Sequence, residues 1–156
     1  MSALSAELRA WLVPGLAGTI AAVDRKHRPQ LARVWSVRAL DDADQLLVYV
    51  LRAASSGLLE GVESRGRAAL NLIEVESYRS RLFKGPCRVS TAPIDAAFLD
   101  LSLTALNQAF QGVGMAPDTV ERILGHSDSP RDMIALCLSV ESVFDQSPKP
   151  GAGGRL

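Results

Sequence analysis

Two arginines stand inside one apolar run, Gln30 to Leu40, where a charge is costly unless a partner or a ligand meets it. Strand alternation puts Leu31, Arg33, Trp35, Val37 and Ala39 on one face and Ala32, Val34, Ser36, Arg38 and Leu40 on the other. Each mainly apolar face therefore carries one guanidinium. The string His126-Ser127-Asp128-Ser129 holds every residue type of a hydrolase triad. Neighbours in one loop cannot hold nucleophile, base and orienting acid in line, and the chain has no G-x-S-x-G elbow. Capping of the following segment is their ordinary role. The only histidines, His27 and His126, have no cysteine or carboxylate at ligand spacing, so no metal site is expected. Cys87 and Cys137 lie in apolar, β-like stretches rather than in a CxxC or disulfide-framework spacing and read as buried thiols of a reducing compartment. The glycines of Gly151-Ala152-Gly153-Gly154 follow no strand and open no helix, so they are not a dinucleotide fingerprint.

The chain around these residues is 156 long, the size of one domain with a real core. Its 47% hydrophobic and 22% charged residues are ordinary for a globular protein, and no apolar run reaches the roughly 18 to 20 residues of a membrane helix. Seventeen basic and seventeen acidic side chains cancel. No global field gathers phosphate polymers or anionic lipid, which argues against nucleic acid and membrane partners. Glu7 and Arg9 interrupt what would be the apolar core of a secretory signal, so a cytoplasmic location is expected.

Leu4, Leu8, Trp11 and Leu12 recur at helical spacing until Pro14-Gly15. Gly18 to Asp24 reads as a strand, and Arg25-Lys26-His27-Arg28-Pro29 reads as a solvated hairpin turn into the arginine-bearing strand. After the turn 41–44, Leu46 to Leu51 is apolar at every position, the pattern of a strand covered on both sides. Ser55 or Ser56 caps a helix carrying Leu58, Leu59 and Val62, which Gly66 ends. Arg67 to Val75 and Arg79 to Ser90 are the next strands, and Gly85-Pro86 suits a bulge or a barrel corner. Helices follow from Asp95 to Gly112, with Phe98, Leu99, Leu103, Leu106 and Phe110 in one stripe, and from Pro117 to Leu124. A last strand is expected over Asp132 to Phe144. Residues 1–146 thus form one domain, and 147–156, rich in Pro and Gly, a C-terminal tail. The sum is an α+β, mainly β domain: a six-stranded antiparallel β-barrel with flanking helices.

This order of elements, with several local strings, resembles the pyridoxamine 5′-phosphate oxidase-like family of FMN-binding split barrels. The matching parts are the strand pair Gly18 to Asp24 and Pro29 to Arg38, and the strand Leu46 to Arg52 with its capped helix. To these are added Gly66-Arg67-Ala68-Ala69-Leu70-Asn71-Leu72, Tyr78-Arg79-Ser80-Arg81-Leu82-Phe83-Lys84-Gly85 and the ending Val143 to Pro148. The resemblance covers nearly the whole chain. It implies a split barrel that forms a homodimer with FMN at the interface, and the partner then supplies the second cover for the Leu46 to Leu51 strand.

It also implies which residues hold the flavin. A phosphate of charge about −1.5 to −2 is held by guanidinium forks, hydroxyls and helix N-termini. Arg33 and Arg38 are the candidates on the second strand, and Ser55 and Ser56 fall where the family binds phosphate. Val34, Trp35 and Ser36, with Tyr49, Val50 and Leu51, would line the isoalloxazine ring. Many members carry Ser followed by Arg and Lys at the helix start, whereas this chain reads Ser56-Gly57-Leu58. A hydrogen bond to a charge is worth about 1.5 to 3 kcal/mol, so two lost cations weaken FMN about a hundredfold or more unless Arg52 or another arginine substitutes. Leu82 stands where relatives often have Gln, and Ser80 or Lys84 would replace that contact.

The expectation is a flavoprotein moving hydride or electrons between FMN, NADH or NADPH, and a small acceptor. The flavin performs that chemistry, so no catalytic residue is named. The alternative is a non-catalytic module that binds or stores flavin or haem, motivated by Gly57 and Leu58. Pyridoxamine phosphate is disfavoured as a substrate, because its own phosphate needs a second set of cations.

Overall fold

The computed structural model describes residues 2–41, 43–124 and 132–156. Seven strands form, β3 and β6 apolar almost throughout and the others more mixed: β1 Ala17–Val23, β2 Pro29–Ala39, β3 Gln45–Leu51, β4 Arg67–Ile73, β5 Ser80–Val89, β6 Met133–Ser139 and β7 Ser142–Asp145. Four α-helices accompany them among the described residues: α1 Ala6–Trp11, α2 Ser56–Arg65, α3 Ala96–Gly112 and α4 Pro117–Leu124. All pairings are antiparallel in the order β4-β1-β2-β3-β6-β5, and β4 pairs with β5 to close a six-stranded barrel. The seventh strand is an addition to that barrel. It lies against β5 at Arg81 to Lys84.

The barrel interior is filled by the inward set of each strand, including Ile20, Val34, Val37, Leu46, Val48, Val50, Leu70, Leu72, Phe83, Leu136 and Leu138. Helix α2 plugs one end through Leu58 and Val62, and its Gly61 comes so close to Ala22 and Val23 that a Cβ would meet them at 3.0 Å. The αL conformation of Gly66 (φ 65°) ends α2 and hands the chain to β4.

Two sequence expectations need correction. The single strand over Asp132 to Phe144 is two strands. Ser139 crosses β5 at Gly85, where a Cβ would stand 1.8 Å from the Ser139 carbonyl oxygen, and the amide of Glu141 donates to Lys84 O at 2.9 Å. Gly85-Pro86 is the expected corner, because β5 pairs with β7 before it and with β6 after it. The strand count is therefore seven rather than six, although the closed barrel itself has the expected six.

The second cover of β3 is the chain's own. Leu47 and Tyr49 face outward and are buried with Leu99, Leu106, Val120 and Leu124 of α3 and α4. No second subunit is needed for that face. The tail at 147–156 doubles back along β7: the amide of Asp145 donates to Gly154 O at 2.9 Å, and that of Leu156 to Val143 O at 2.8 Å. Asp145 anchors the return. Its carboxylate accepts from Lys149 Nζ at 2.7 Å, Arg81 Nη1 at 2.9 Å and the Ser147 amide at 2.9 Å, contacts led by Lys149 that hold its pKa far below the usual carboxylate range.

The two thiols lie on opposite faces of the barrel wall, Cys87 inside and Cys137 outside under the helices, and both are buried and free. Burial pushes the Cys87 thiol up to about 12.

Candidate functional site

The residues singled out in the sequence fall into three separate places. The first is the outer face of β2 and β3. A bulge at Trp35 shifts the register from Val34↔Val50 to Ser36↔Tyr49, so Trp35 and Ser36 both turn outward. Helix α3 covers them: Ser36 Oγ and Ser102 Oγ are 2.8 Å apart, and Ser102 Oγ donates to Phe98 O at 2.9 Å. The Tyr49 hydroxyl accepts from the Asp95 amide at 3.2 Å, while the Asp95 carboxylate caps α3 at the Phe98 amide, 3.0 Å.

Both strand arginines are engaged here. Arg38 Nη1 meets Asp95 Oδ2 at 3.1 Å, with its guanidinium 5.4 Å from the Phe98 ring centre; its Nε is buried without a partner. Arg33 Nη1 donates to the Ile123 carbonyl near the end of α4 at 3.1 Å, the negative end of that helix, and stacks 4.8 Å from the Trp35 ring centre. Burial lowers the Arg33 pKa from its ordinary value. These five residues fasten α3 and α4 to the barrel. Val34 and Val50 point into the barrel interior, so only their backbone is available to a ligand.

The second place is the start of α2. The Ser55 hydroxyl donates to Leu51 O at 2.6 Å and is buried, so it caps nothing. The first intrahelical bond runs from the Leu59 amide to Ser55 O, which leaves the amides of Ser56, Gly57 and Leu58 without an intrahelical acceptor. Ser56 and Arg52 are exposed beside them, and Arg52 makes no ion pair among the described residues. Gly57 has a packing reason. A Cβ there would stand 2.4 Å from Gln30 Oε1, a side chain that Asp24 holds through its Nε2.

The third place is β5, three strands away from β2 around the barrel in either direction. Ser80 is buried, its hydroxyl donating to Asn71 Oδ1 at 3.1 Å, and Lys84 Nζ lies 4.9 Å from the Phe144 ring centre. One chain therefore does not bring Ser80 and Lys84 to Arg33, Trp35, Ser36 and Arg38. Sequence reading missed Leu31, which is 62% exposed on the same outward set as Arg33 and follows the Gln30 that touches Gly57. It also missed the struts Asp95 and Ser102, whose signal was the N-cap and one polar residue in the apolar stripe of α3. The triad-like string 126–129 lies outside the described residues. Among the described residues no cluster of three or more His, Cys, Asp or Glu is placed to hold a metal ion. No helix there is long and apolar enough to cross a membrane.

The architecture has close counterparts among solved structures. A HupZ protein of Group A Streptococcus superposes with a TM-score of 0.55 at 17% identity, over 96% of this chain and 98% of that one. A pyridoxamine 5′-phosphate oxidase-related, FMN binding protein of Nostoc punctiforme gives 0.53 at 15% identity, over 94% and 82%. The fold is that of the pyridoxamine 5′-phosphate oxidase-like split barrels. A heme binding protein of Mycobacterium smegmatis shares it at 0.54 and 15% identity, with all of this chain matching 57% of that longer one. No family model matches the chain, and no curated protein does. At these identities the likeness is one of fold, and split barrels of this type include both FMN-binding and haem-binding proteins.

Proposed function

We propose that this split barrel is an FMN-binding flavoprotein, a cytoplasmic homodimer that moves hydride or electrons between the flavin, NADH or NADPH, and a small acceptor. The start of α2 carries the reading. Three amides without intrahelical acceptors, the Ser56 hydroxyl and Arg52, which makes no ion pair among the described residues, would make a seat for a phosphate, and exposed Leu31 follows the Gln30 that packs against Gly57. The phosphate end of FMN fits these residues. For the ring, Trp35, Ser36 and Tyr49 are already covered by α3, so the ring must lie over Leu31 and against a second copy. Lys84, exposed on β5, would come to that ring from such a copy, whereas the buried Ser80 hydroxyl stays on Asn71. When bound, the flavin supplies the redox chemistry; the chain binds, orients and screens it from water.

The test is titration of cofactor-free protein with FMN, read as quenching of flavin fluorescence. Saturation at one FMN per chain is expected, weakened about tenfold by Arg52→Ala, the loss of one charge-assisted hydrogen bond. Absence of quenching and of bound-flavin absorption bands rejects the reading. A second reading, a flavin- or haem-holding module without turnover, is favoured by one observation: Arg33 and Arg38 are committed to Ile123 O and Asp95, which leaves the phosphate one cation. NADH or NADPH added to the loaded protein separates the two, since bleaching on a turnover timescale excludes simple storage.

A further inference from the structure

Helix α1 closes the barrel end opposite α2. Its Arg9 donates to Leu40 O at 3.0 Å, and the amides of Ala3 and Leu4 before it donate to the Asp44 carboxylate. Between α1, the start of β5, β7 and the returning residues 155–156 lies a cavity of about 760 Å³, within the usual size range of small-molecule sites. Its apolar lining is Leu8, Trp11 and Val143, all buried. Arg81, Glu7 and Arg155 bring charge to it.

Arg81 keeps one edge of its guanidinium free. Nη1 donates to Ser80 O, Asp145 Oδ1 and Ser147 Oγ at 2.9 to 3.0 Å, which fixes the group in place. Nε and Nη2 donate to nothing among the described residues, and neither is fully buried: the side chain keeps 14% of its surface, on the cavity wall. Asp145 does not neutralise this corner, because it also takes Lys149, so two cations share one carboxylate. A fixed guanidinium with a free edge takes a carboxylate through two parallel hydrogen bonds. Arg81 also stacks 5.7 Å from the Trp11 ring centre, which sets an aromatic platform beside that edge. The buried Trp11 indole N–H has no acceptor among the described residues, a second unsatisfied donor in the same lining.

The opposite charge stands on the same helix face. Glu7 and Trp11 are four residues apart on α1, so the acid and the ring under Arg81 are neighbours. Glu7 is exposed and makes no ion pair among the described residues; Arg79, which feels its charge, is bonded through Nε and Nη2 to Glu74. A simple anion on Arg81 would face Glu7, and a simple cation on Glu7 would face Arg81. A zwitterion satisfies both.

We propose that this cavity binds a free α-amino acid with an apolar side chain, its carboxylate on the free edge of Arg81, its ammonium at Glu7 and its side chain over Leu8, Trp11 and Val143. The site stands apart from the flavin seat. Gln30, which packs against Gly57, pairs with Ala22 at one end of β1, whereas at the other end Ala17 pairs with Ile73, and Ile73 with Ser80 beside Arg81. Ala17 and Ala22 are about 17 Å apart at roughly 3.3 Å per strand residue. Arg81 moreover shares its side of β5 with Phe83, which points into the barrel, while Lys84 is on the exposed side.

The experiment is a ¹H–¹⁵N titration of the full chain, without flavin, with L-phenylalanine, following the Trp11 indole N–H and the amides of Leu8, Arg81 and Val143. Two probes run alongside: 3-phenylpropionate, which lacks the ammonium, and phenethylamine, which lacks the carboxylate. Saturable shifts at those groups are expected with L-phenylalanine, and at least tenfold weaker binding of each probe. Glu7→Gln, an exposed change that the fold tolerates, should weaken L-phenylalanine at least tenfold and leave 3-phenylpropionate unweakened. Arg81→Lys keeps a cation for Asp145 and removes the free edge, so both carboxylates should weaken at least tenfold; phenethylamine and Glu7→Gln test the site even where that variant does not fold. No saturable shift with L-phenylalanine, equal binding of L-phenylalanine and either probe, unchanged affinity in Glu7→Gln, or shifts that saturate elsewhere on the barrel overturn the proposal.

Discussion

At the scale of single residues, the polar groups on the outer wall act as fasteners. Asp95 caps α3 and also takes Arg38 and lies beside the Tyr49 hydroxyl. Asp95→Ala is expected to destabilise the fold by about 1 to 2 kcal/mol, mostly through the lost cap, since the ion pair is more than a third exposed on both sides and adds little. Urea unfolding measures it. Arg38→Met is expected to cost under about 1 kcal/mol, because it removes a buried Nε that has no partner along with the exposed pair. Asp24 gives a pH signature. Hydrogen bonds led by the Arg28 amide lower its carboxyl from 3.8 to about 2 in the folded state. Its contribution is therefore fully present above the unfolded pKa of 3.8 and is lost as pH falls through about 2. The melting temperature should drop over that window, and Asp24→Asn should flatten this part of the profile while lowering stability at pH 7. Cys87, buried with its pKa raised to about 12, and buried Cys137 should both resist a thiol reagent at pH 8 until denaturant is added.

At the scale of elements, two glycines separate two kinds of necessity. Gly85 lets the β6-to-β7 crossing pass over β5, and a Cβ would meet backbone at 1.8 Å. Gly85→Ala should cost at or beyond the upper end of the roughly 1 to 3 kcal/mol typical of overpacking, because a carbonyl of a paired strand cannot yield as a side chain does. Gly66 has open space around it and only its φ of 65° to protect, so Gly66→Ala should cost about 1 to 2 kcal/mol. Chemical denaturation of both variants checks the order. The same crossing explains the one misread strand. Ile134, Leu136, Leu138 and Val140 point inward on even numbers, but the next inward residue is Val143, so the alternation changes phase where the chain turns. Reading one strand from Asp132 through to Phe144 missed that slip. The other strands and helices were legible to within a few residues, since alternation and caps are local properties.

At the scale of the whole molecule, the decisive fact is which surface the helices cover. The all-apolar β3 shows that both faces are buried but not by what; α3 and α4 supply the second cover through Leu99, Leu106, Val120 and Leu124. Leu106→Ala should cost about 2 to 5 kcal/mol and loosen both helices from β2 and β3, visible as faster amide exchange in α3. A homodimer should sediment at twice the chain mass of 16.7 kDa; a species of 16.7 kDa in the presence of saturating FMN would reject the interface reading.

The sequence by itself determined the α+β class, the barrel strands, the capped helices and the buried thiols, because these follow from periodicity, caps and turn residues within a dozen positions. Only the tertiary structure decided what the strand arginines do. Arg33 reaches a carbonyl 90 residues away, Arg38 a carboxylate 57 away, and Ser36 a hydroxyl 66 away. Partners at such separation leave no trace in local spacing, so the sequence alone does not show that this strand is the wall to which two helices are tied.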